Sequence, residues 1–437
     1  MIRKALLFFL LLYVVDELHF KWQTGIPAVA PVNIFFVLTF LATRGGSDVM
    51  DGKEPILKKG ILIFSGALVL AFLWAQVRAY ADIVSDLTVL KNAIFYPLFY
   101  FVYRRCREDA KTVRWLIIWI MTIAAVAGLE AFREGLDYGF DAYNPYKRAS
   151  GPFGEDWMMA NSAGVFFAMF MPMFVAFALF LKKQVFWRIA AIAGIILLAA
   201  GTLMTYSRQS YFIVLFAATV LLVRKNLVVA IVLGVTLVSL SGYLPDTVTQ
   251  RVEETRQEDR QGGGVEVDAS TASRWEIWAG AMAMWARNPL GIGLDRFKRE
   301  IGNYSSHKGM DAHNFFVRTL AEYGPHGLVA LFLLIRACFS LARFLRDNAH
   351  PEDPDDQALA LGFTVMTVCV VLGNIYGSRF LDGAIMAPYW ALCGLLERNV
   401  YLKQAARGAV DTAGAKREPT IEERFPLAAL IRRPRSR

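Results

Sequence analysis

Six stretches of this chain contain no Asp, Glu, Lys, Arg or His: Trp22 to Thr43, Gly60 to Val77, Trp157 to Leu181, Ile189 to Ser207, Asn226 to Pro245 and Gln357 to Ser378. A helix needs about 20 mostly apolar residues to cross the hydrocarbon core of a bilayer, and each run is near that length. A soluble fold could not hide so much apolar surface in stretches this long. Shorter runs near residues 5–15, 92–103, 115–129, 209–223, 327–345 and 383–397 have polar ends and are expected to span as well. Backbone polar groups must be satisfied internally in lipid, so helices are the natural form. The period-two alternation of a membrane barrel is absent. The expected fold class is all-α, a polytopic transmembrane bundle of about 12 helices.

Composition agrees with this. Of 437 residues, 56% are hydrophobic and 19% are charged, against about 25% charged in average soluble domains. An ordinary cytosolic enzyme, a disordered chain and a disulfide scaffold are all excluded. The net charge of +9 would suggest a nucleic-acid partner in a soluble protein. Here the basic residues are scattered between apolar spans, which fits loops held at a membrane face, and no nucleic acid is expected. Cys106, Cys338, Cys369 and Cys393 form no CxxC pair and have no His or carboxylate at metal-ligand spacing. Neither a metal site nor a disulfide is expected.

The segment MIRKALLFFLLLYVV resembles a signal peptide, but Asp16, Glu17 and Lys21 follow it, and Pro31 follows the cleavage-like Ala28-Val29-Ala30. It reads as a retained first membrane helix. Basic residues concentrate in alternate loops: Arg3/Lys4, Arg44 to Lys59, Arg104 to Arg114, Lys182 to Arg188, Arg224/Lys225 and Arg336 to Arg346. That bias puts both termini in the cytoplasm. The expected organisation is helices one to nine in residues 1–245, with an outer loop at 131–160. A large, partly helical outer loop follows at 246–322, then helices ten to twelve at 323–397 and a basic, solvated tail at 398–437. Inside the large loop, Gly262 to Gly264 read as a flexible link. Thr271 to Asn288 reads as a helix with Trp275, Trp278, Met282 and Trp285 on one face. Pro289, Gly291 and Gly293 end it.

Groups able to do chemistry gather on the outer side. Arg208, in MTYSRQSYF, joins two spans by a short connection, so it sits at the membrane boundary. It is either a snorkelling interfacial arginine or a guanidinium held for an anion, whose oxygens its planar fork suits. Arg274, in SRWEIW, is expected to open the outer helix. A cation is unfavourable at a helix start unless an anion sits there too; otherwise it is solvated beside an aromatic belt. His313, in DAHNFFVRTLAEYGPHG, is either a satisfied core imidazole or a general base with a pKa near working pH. His307 and His326 are weaker candidates, and Asn314 is either a helix cap or part of a wall. KRASGPFGEDWMMANSAG brings Arg148, Glu155, Asp156 and Asn161 to the mouth of the sixth helix, as a substrate wall or as a solvated, capped loop. No Walker loop, dinucleotide fingerprint or HExxH is present, so no cofactor is expected and any chemistry would use an already activated substrate.

Taken in order, these pieces resemble the O-antigen ligase/O-antigen polymerase family of bacterial inner-membrane glycosyltransferases. The most specific is His313-Asn314, nine residues, then Gly324-Pro-His-Gly327, which resembles the ligases' His-Asn-x9-Gly-x-x-Gly pattern. Tyr206 to Ser210, Ser273-Arg274-Trp275 with Asn288 to Gly293, and Gly151 to Asn161 support it. The resemblance implies a glycan donor on undecaprenyl diphosphate, an acceptor glycan or glycolipid hydroxyl such as lipid A-core, membrane lipid contacts, and an active site facing the periplasm with no metal or cofactor. Arg208 and Arg274 fall on positions that would hold the diphosphate, and His313 on the position assigned to acceptor activation. A repeat-unit polymerase of the same family is the alternative within the class. A transporter or flippase for a lipid-linked sugar is the alternative outside it, and it would call for ionisable residues in mid-span.

Overall fold

The computed structural model describes residues 1–16, 20, 30–78, 83–139, 144, 146–154, 157–225, 256–258, 265–267 and 269–415. The expected ninth span at 226–245, the Gly262–Gly264 link, Glu155, Asp156 and the end of the tail at 416–437 lie outside the described residues. Within them the chain is helical: α1 (Ile2–Val15), α2 (Pro31–Ala42), α3 (Lys58–Arg78), α4 (Ile83–Phe95), α5 (Phe99–Arg104), α6 (Ala110–Tyr138), α7 (Ala160–Phe180), α8 (Val185–Met204), α9 (Arg208–Lys225), α10 (Ala269–Arg287), α11 (Phe297–Glu300), α12 (Phe315–Asn348), α13 (Pro354–Ile375) and α14 (Gly383–Ala415). A small antiparallel hairpin, β1 (Arg256–Glu258) with β2 (Val265–Val267), precedes α10 and pairs Arg256 with Val267. Among the described residues, six helices are long and apolar enough to cross a membrane: α3, α6, α7 with the turn before it, α8, α12 and α13.

These six fall on the runs at 60–77, 115–129, 157–181, 189–207, 327–345 and 357–378, half of the twelve expected spans. The run at 92–103 is divided by Pro97 in a 3-10 turn between α4 and α5, because proline gives up a helical hydrogen bond. The last helix does not stop at 397 but continues to Ala415. Glu397 and Arg398 are thus helical and buried, where the expected tail would have exposed Arg398.

Between spans in lipid, close packing replaces the hydrophobic effect as the main attraction. The α6/α8 crossing shows this: a Cβ on Gly201 would stand 2.7 Å from the Gly128 carbonyl oxygen and 3.0 Å from the Gly128 Cα. Backbone meets backbone there. α7 is almost wholly enclosed, packing on α8, α9 and α13. The main core continues through Phe166, Phe170, Phe363, Tyr389 and Trp390.

A second, smaller core lies under α10, built from Ile277, Ala281 and Met284 with Ile292, Phe297, Ile301, Ala312 and Ala321. The tryptophan-bearing face is mostly turned away from this core. Trp275 is 61% exposed and Met282 43% exposed. The aliphatic stripe at 277, 281 and 284 has helical spacing too, and it is the one turned inward. Trp278 sits on the border, its ring 5.4 Å from Trp275 and its indole N–H donating to Ala312 O at 2.8 Å.

Candidate active site at one end of the bundle

Four separate segments converge at one end of the bundle. The first is the 146–154 loop between α6 and α7. Glu134, near the end of α6, accepts from the backbone N–H groups of Ser150 and Gly151 at 2.8 and 2.7 Å, and Ala149 N donates to Met204 O at 3.0 Å. Arg148 is thereby fixed against the α8/α9 connection. Its Nε donates to Thr205 O at 2.9 Å and an Nη to Asn161 Oδ1 at 2.7 Å.

The second is that connection itself. Tyr206 is buried and has φ 48°, a left-handed conformation costly for a bulky residue. The turn lets α9 begin at Arg208. The first helical residue is therefore an arginine. A helix start and a guanidinium each favour an anion. The sequence suggested this arrangement for Arg274 instead. However, α10 begins at Ala269, so Arg274 is in its second turn, with its guanidinium 6.0 Å from the Tyr376 ring centre.

The third segment is 311–318. His313 has φ 48°, and its N–H donates to Asp311 Oδ2 at 3.3 Å. Asn314 caps α12, accepting from Phe316 N at 2.9 Å and Val317 N at 3.1 Å. The cap stops the chain turning helical one residue too soon and leaves the imidazole just outside the helix. Arg318, one turn in, is shared by Glu322 (3.1 Å), Asp295 (3.4 Å) and Asp311 (3.6 Å).

The Gly-x-x-Gly element is structural. Gly324 has φ 69° and breaks α12, and Pro325 has no N–H for the Ala321 carbonyl. The 288–293 turn supplies the missing donors. Ile292 N bonds to Ala321 O at 2.9 Å and Gly293 N to Glu322 O at 2.8 Å. A Cβ at Gly291 would fall 2.4 Å from Glu322 O and 2.6 Å from Gly324 N. The two glycine-bearing motifs are thus halves of one backbone junction. Glu322 also accepts from Phe297 N at 3.0 Å, and Arg296 reaches Asp86 of α4 at 2.8 and 2.6 Å. Lys298 is carried to the same end by these bonds.

The fourth segment is 372–379, the last turn of α13 and the connection that leads to α14. Gln209 Nε2 bonds to Gly373 O at 2.9 Å, Phe315 N to Gly377 O at 3.0 Å, and Arg379 N to Asn374 Oδ1 at 3.0 Å.

Together with α10 and Lys298 they line a cavity of about 1150 Å³. Arg148, Asn161, Arg208, Arg274 and His313 all line it. Asn314 and His307 do not: Asn314 is the cap, and His307 is tied to Glu276 at 3.1 Å on the exposed side of α10. The sequence reading missed Lys298, Asp311, Arg318 and Arg379, which also line the cavity. Asp311 stands two residues before His313 and Arg318 five after it. That proximity was a usable signal, whereas nothing local marked Lys298 or Arg379.

The lining is strongly cationic. Among the described residues that line it, Arg148, Arg208, Arg274, Lys298, Arg318 and Arg379 stand with one carboxylate, Asp311. A hollow with this excess of positive charge concentrates anions. Burial lowers the His313 pKa from its ordinary 6.5. Asp311 opposes this, while Arg274, Arg379 and Lys298 add to it. The imidazole is therefore a neutral acceptor at neutral pH. Burial alone would push the Asp311 carboxyl up, but Arg318, Ser378, His313 and Lys298 hold it below 3.8.

Residues 193–332 match the family model described as O-antigen ligase. The match covers roughly a third of the chain, from within α8 to within α12, and includes Arg208, Arg274 and His313. No curated protein matches the chain.

Proposed function

We propose that this member of the O-antigen ligase family moves a glycan from undecaprenyl diphosphate to a sugar hydroxyl of a glycan or glycolipid acceptor, such as lipid A-core. The reaction is assigned to the periplasmic face of the bacterial inner membrane, with both chain termini cytoplasmic. The observation that carries this reading is the single cavity lined by Arg208, Arg274 and His313.

The chemistry follows from the leaving group. The acceptor oxygen attacks the anomeric carbon, and the bond from that carbon to the phosphate oxygen breaks. Undecaprenyl diphosphate departs with the electron pair. Arg208, at the start of α9, and Arg274 grip the developing charge; both guanidiniums stay protonated at any working pH. Donors fixed in advance in a water-poor site contribute roughly 3–4 kcal/mol each. His313 takes the acceptor proton, and its lowered pKa keeps it available as a base.

A repeat-unit polymerase would use the same groups with a second lipid-linked glycan as acceptor. The transporter reading has less support, because these ionisable residues collect at one end of the bundle rather than along a path through it. Reconstitution decides between them. Purified protein in vesicles, given an undecaprenyl-diphosphate glycan and a lipid A-core acceptor, is expected to form the joined product and release undecaprenyl diphosphate. His313→Ala should abolish both. Product formed only between two lipid-linked glycans would make it a polymerase, and donor crossing the bilayer without transfer would sink the enzyme reading.

A further inference from the structure

A second, apolar hollow lies at the opposite end of the bundle. It measures about 870 Å³ and is bounded by α6, α7 and α8, with the starts of α6 and α13 and part of α14 at its mouth. α6 enters at this end and reaches the cavity end roughly 43 Å away, so the two hollows sit on opposite sides. The walls are charge-free: Met121, Phe174, Phe177 and Leu197 among them. Val126 is 55% exposed, and Ala190 and Ala193 are exposed, so the hollow opens sideways, toward the hydrocarbon of a surrounding bilayer. Gly194 sets its floor, where a Cβ would collide with the Phe174 ring at 2.1 Å.

The mouth carries both signs of charge. Lys111 is exposed there. Arg114 meets Asp355 Oδ2 at 3.0 Å, while Asp355 Oδ1 is buried with no hydrogen-bond partner among the described residues. Lys403 is already held by Asp353 at 2.7 Å and Asp356 at 2.5 Å. Trp187 lines the hollow and packs edge-on against Trp115 at 6.0 Å, the amphipathic ring type that settles at headgroup depth.

We infer that this groove seats an aminophospholipid of the leaflet opposite the cavity, with an acyl chain between Met121 and Phe177, its phosphate at Lys111 and its ammonium at Asp355. The charge pattern selects the headgroup. A wholly anionic head would bring no cation for the unpartnered Asp355 oxygen. A quaternary choline head has no N–H for the orphaned Asp355 oxygen. A primary ammonium supplies that donor, in a charge-assisted hydrogen bond stronger than a neutral one. The inference does not depend on glycan transfer.

The test is native mass spectrometry of the full-length protein in detergent, offered equal amounts of phosphatidylethanolamine, phosphatidylcholine and phosphatidylglycerol. The expected result is preferential retention of phosphatidylethanolamine. Asp355→Asn, which keeps the shape and removes the charge, should cut that preference about fivefold or more, as loss of one charge-assisted bond implies. Ala193→Trp fills the groove without touching the charged mouth and should displace all three lipids. Phosphatidylglycerol held as well as phosphatidylethanolamine, or an unchanged preference in Asp355→Asn, would overturn the headgroup assignment. Undiminished binding in Ala193→Trp would overturn the groove.

Discussion

At the scale of single residues, the cavity separates charge from geometry. Arg208 and a lysine in its place carry the same charge, but only the guanidinium offers two parallel donors to a phosphate. Arg208→Lys is therefore expected to lower glycan transfer about a hundredfold or more at equal membrane levels, as loss of one fixed donor implies. Transfer close to the native rate would remove the bidentate role. Asp311 acts differently. It opposes the burial and the three cations that lower the His313 pKa. Asp311→Asn can keep the bond to His313 N but loses the negative charge. The imidazole pKa should then fall further, so the low-pH limb of the transfer rate moves to lower pH. Its plateau should drop as well, because a weaker base removes the proton less well. A carboxylate that only folds the turn would leave the pH profile where it was.

At the scale of elements, the junction between the 288–293 turn and the break in α12 holds the third segment of the site in place. Gly291 has φ 88°, and its missing Cβ leaves room for the Glu322 carbonyl. Gly291→Ala adds both backbone strain and a clash with main-chain atoms, which cannot swing aside. A loss of about 1–3 kcal/mol or more in stability is expected, read as a lower midpoint in thermal unfolding of the detergent-solubilised protein. Transfer should fall with it, since Asp295, Arg296 and Lys298 follow the same turn. His307→Ala is a useful contrast: its partner Glu276 is outside the cavity, and transfer is expected to change little.

At the scale of the whole molecule, the end away from the cavity is closed by buried ion pairs that join distant parts of the chain. Arg104 meets Glu397 at 2.8 Å with both side chains fully buried, and Arg398 meets Asp48 at 2.8 Å. At the same end Arg3, whose side chain is partly exposed, reaches the buried Glu108 at 2.6 Å. Removing one partner leaves an uncompensated buried charge and costs about 3–5 kcal/mol, whereas replacing both with apolar groups is often neutral. Arg104→Met should accordingly lower the yield of folded protein and its thermal midpoint, and Arg104→Met with Glu397→Leu should restore much of both. Equal damage in the single and double variants would mean that packing, not charge, dominates there.

The charge-free runs at 60–77, 157–181, 189–207 and 357–378 were legible as spans, and the described helices there are long and apolar enough to cross a membrane, because hydropathy is a local property. Arg208 and His313 were legible for a related reason, being polar groups pinned beside such runs, and Asn314 was readable as a cap from its place before an apolar helix. The start of α10 at Ala269, and its choice of Ile277, Ala281 and Met284 over the tryptophan stripe, were not. Both stripes have helical spacing, and only the surface they meet selects between them. The meeting of Arg148, Arg208, Arg274 and His313 in one hollow, with Lys298 and Arg379 beside them, depends on contacts between segments far apart in the chain. Amino-acid order alone thus determined which helices are long and apolar enough to cross a membrane. Tertiary packing decided which of the remaining charges face one another, because that depends on how helices cross, and no local pattern encodes a crossing.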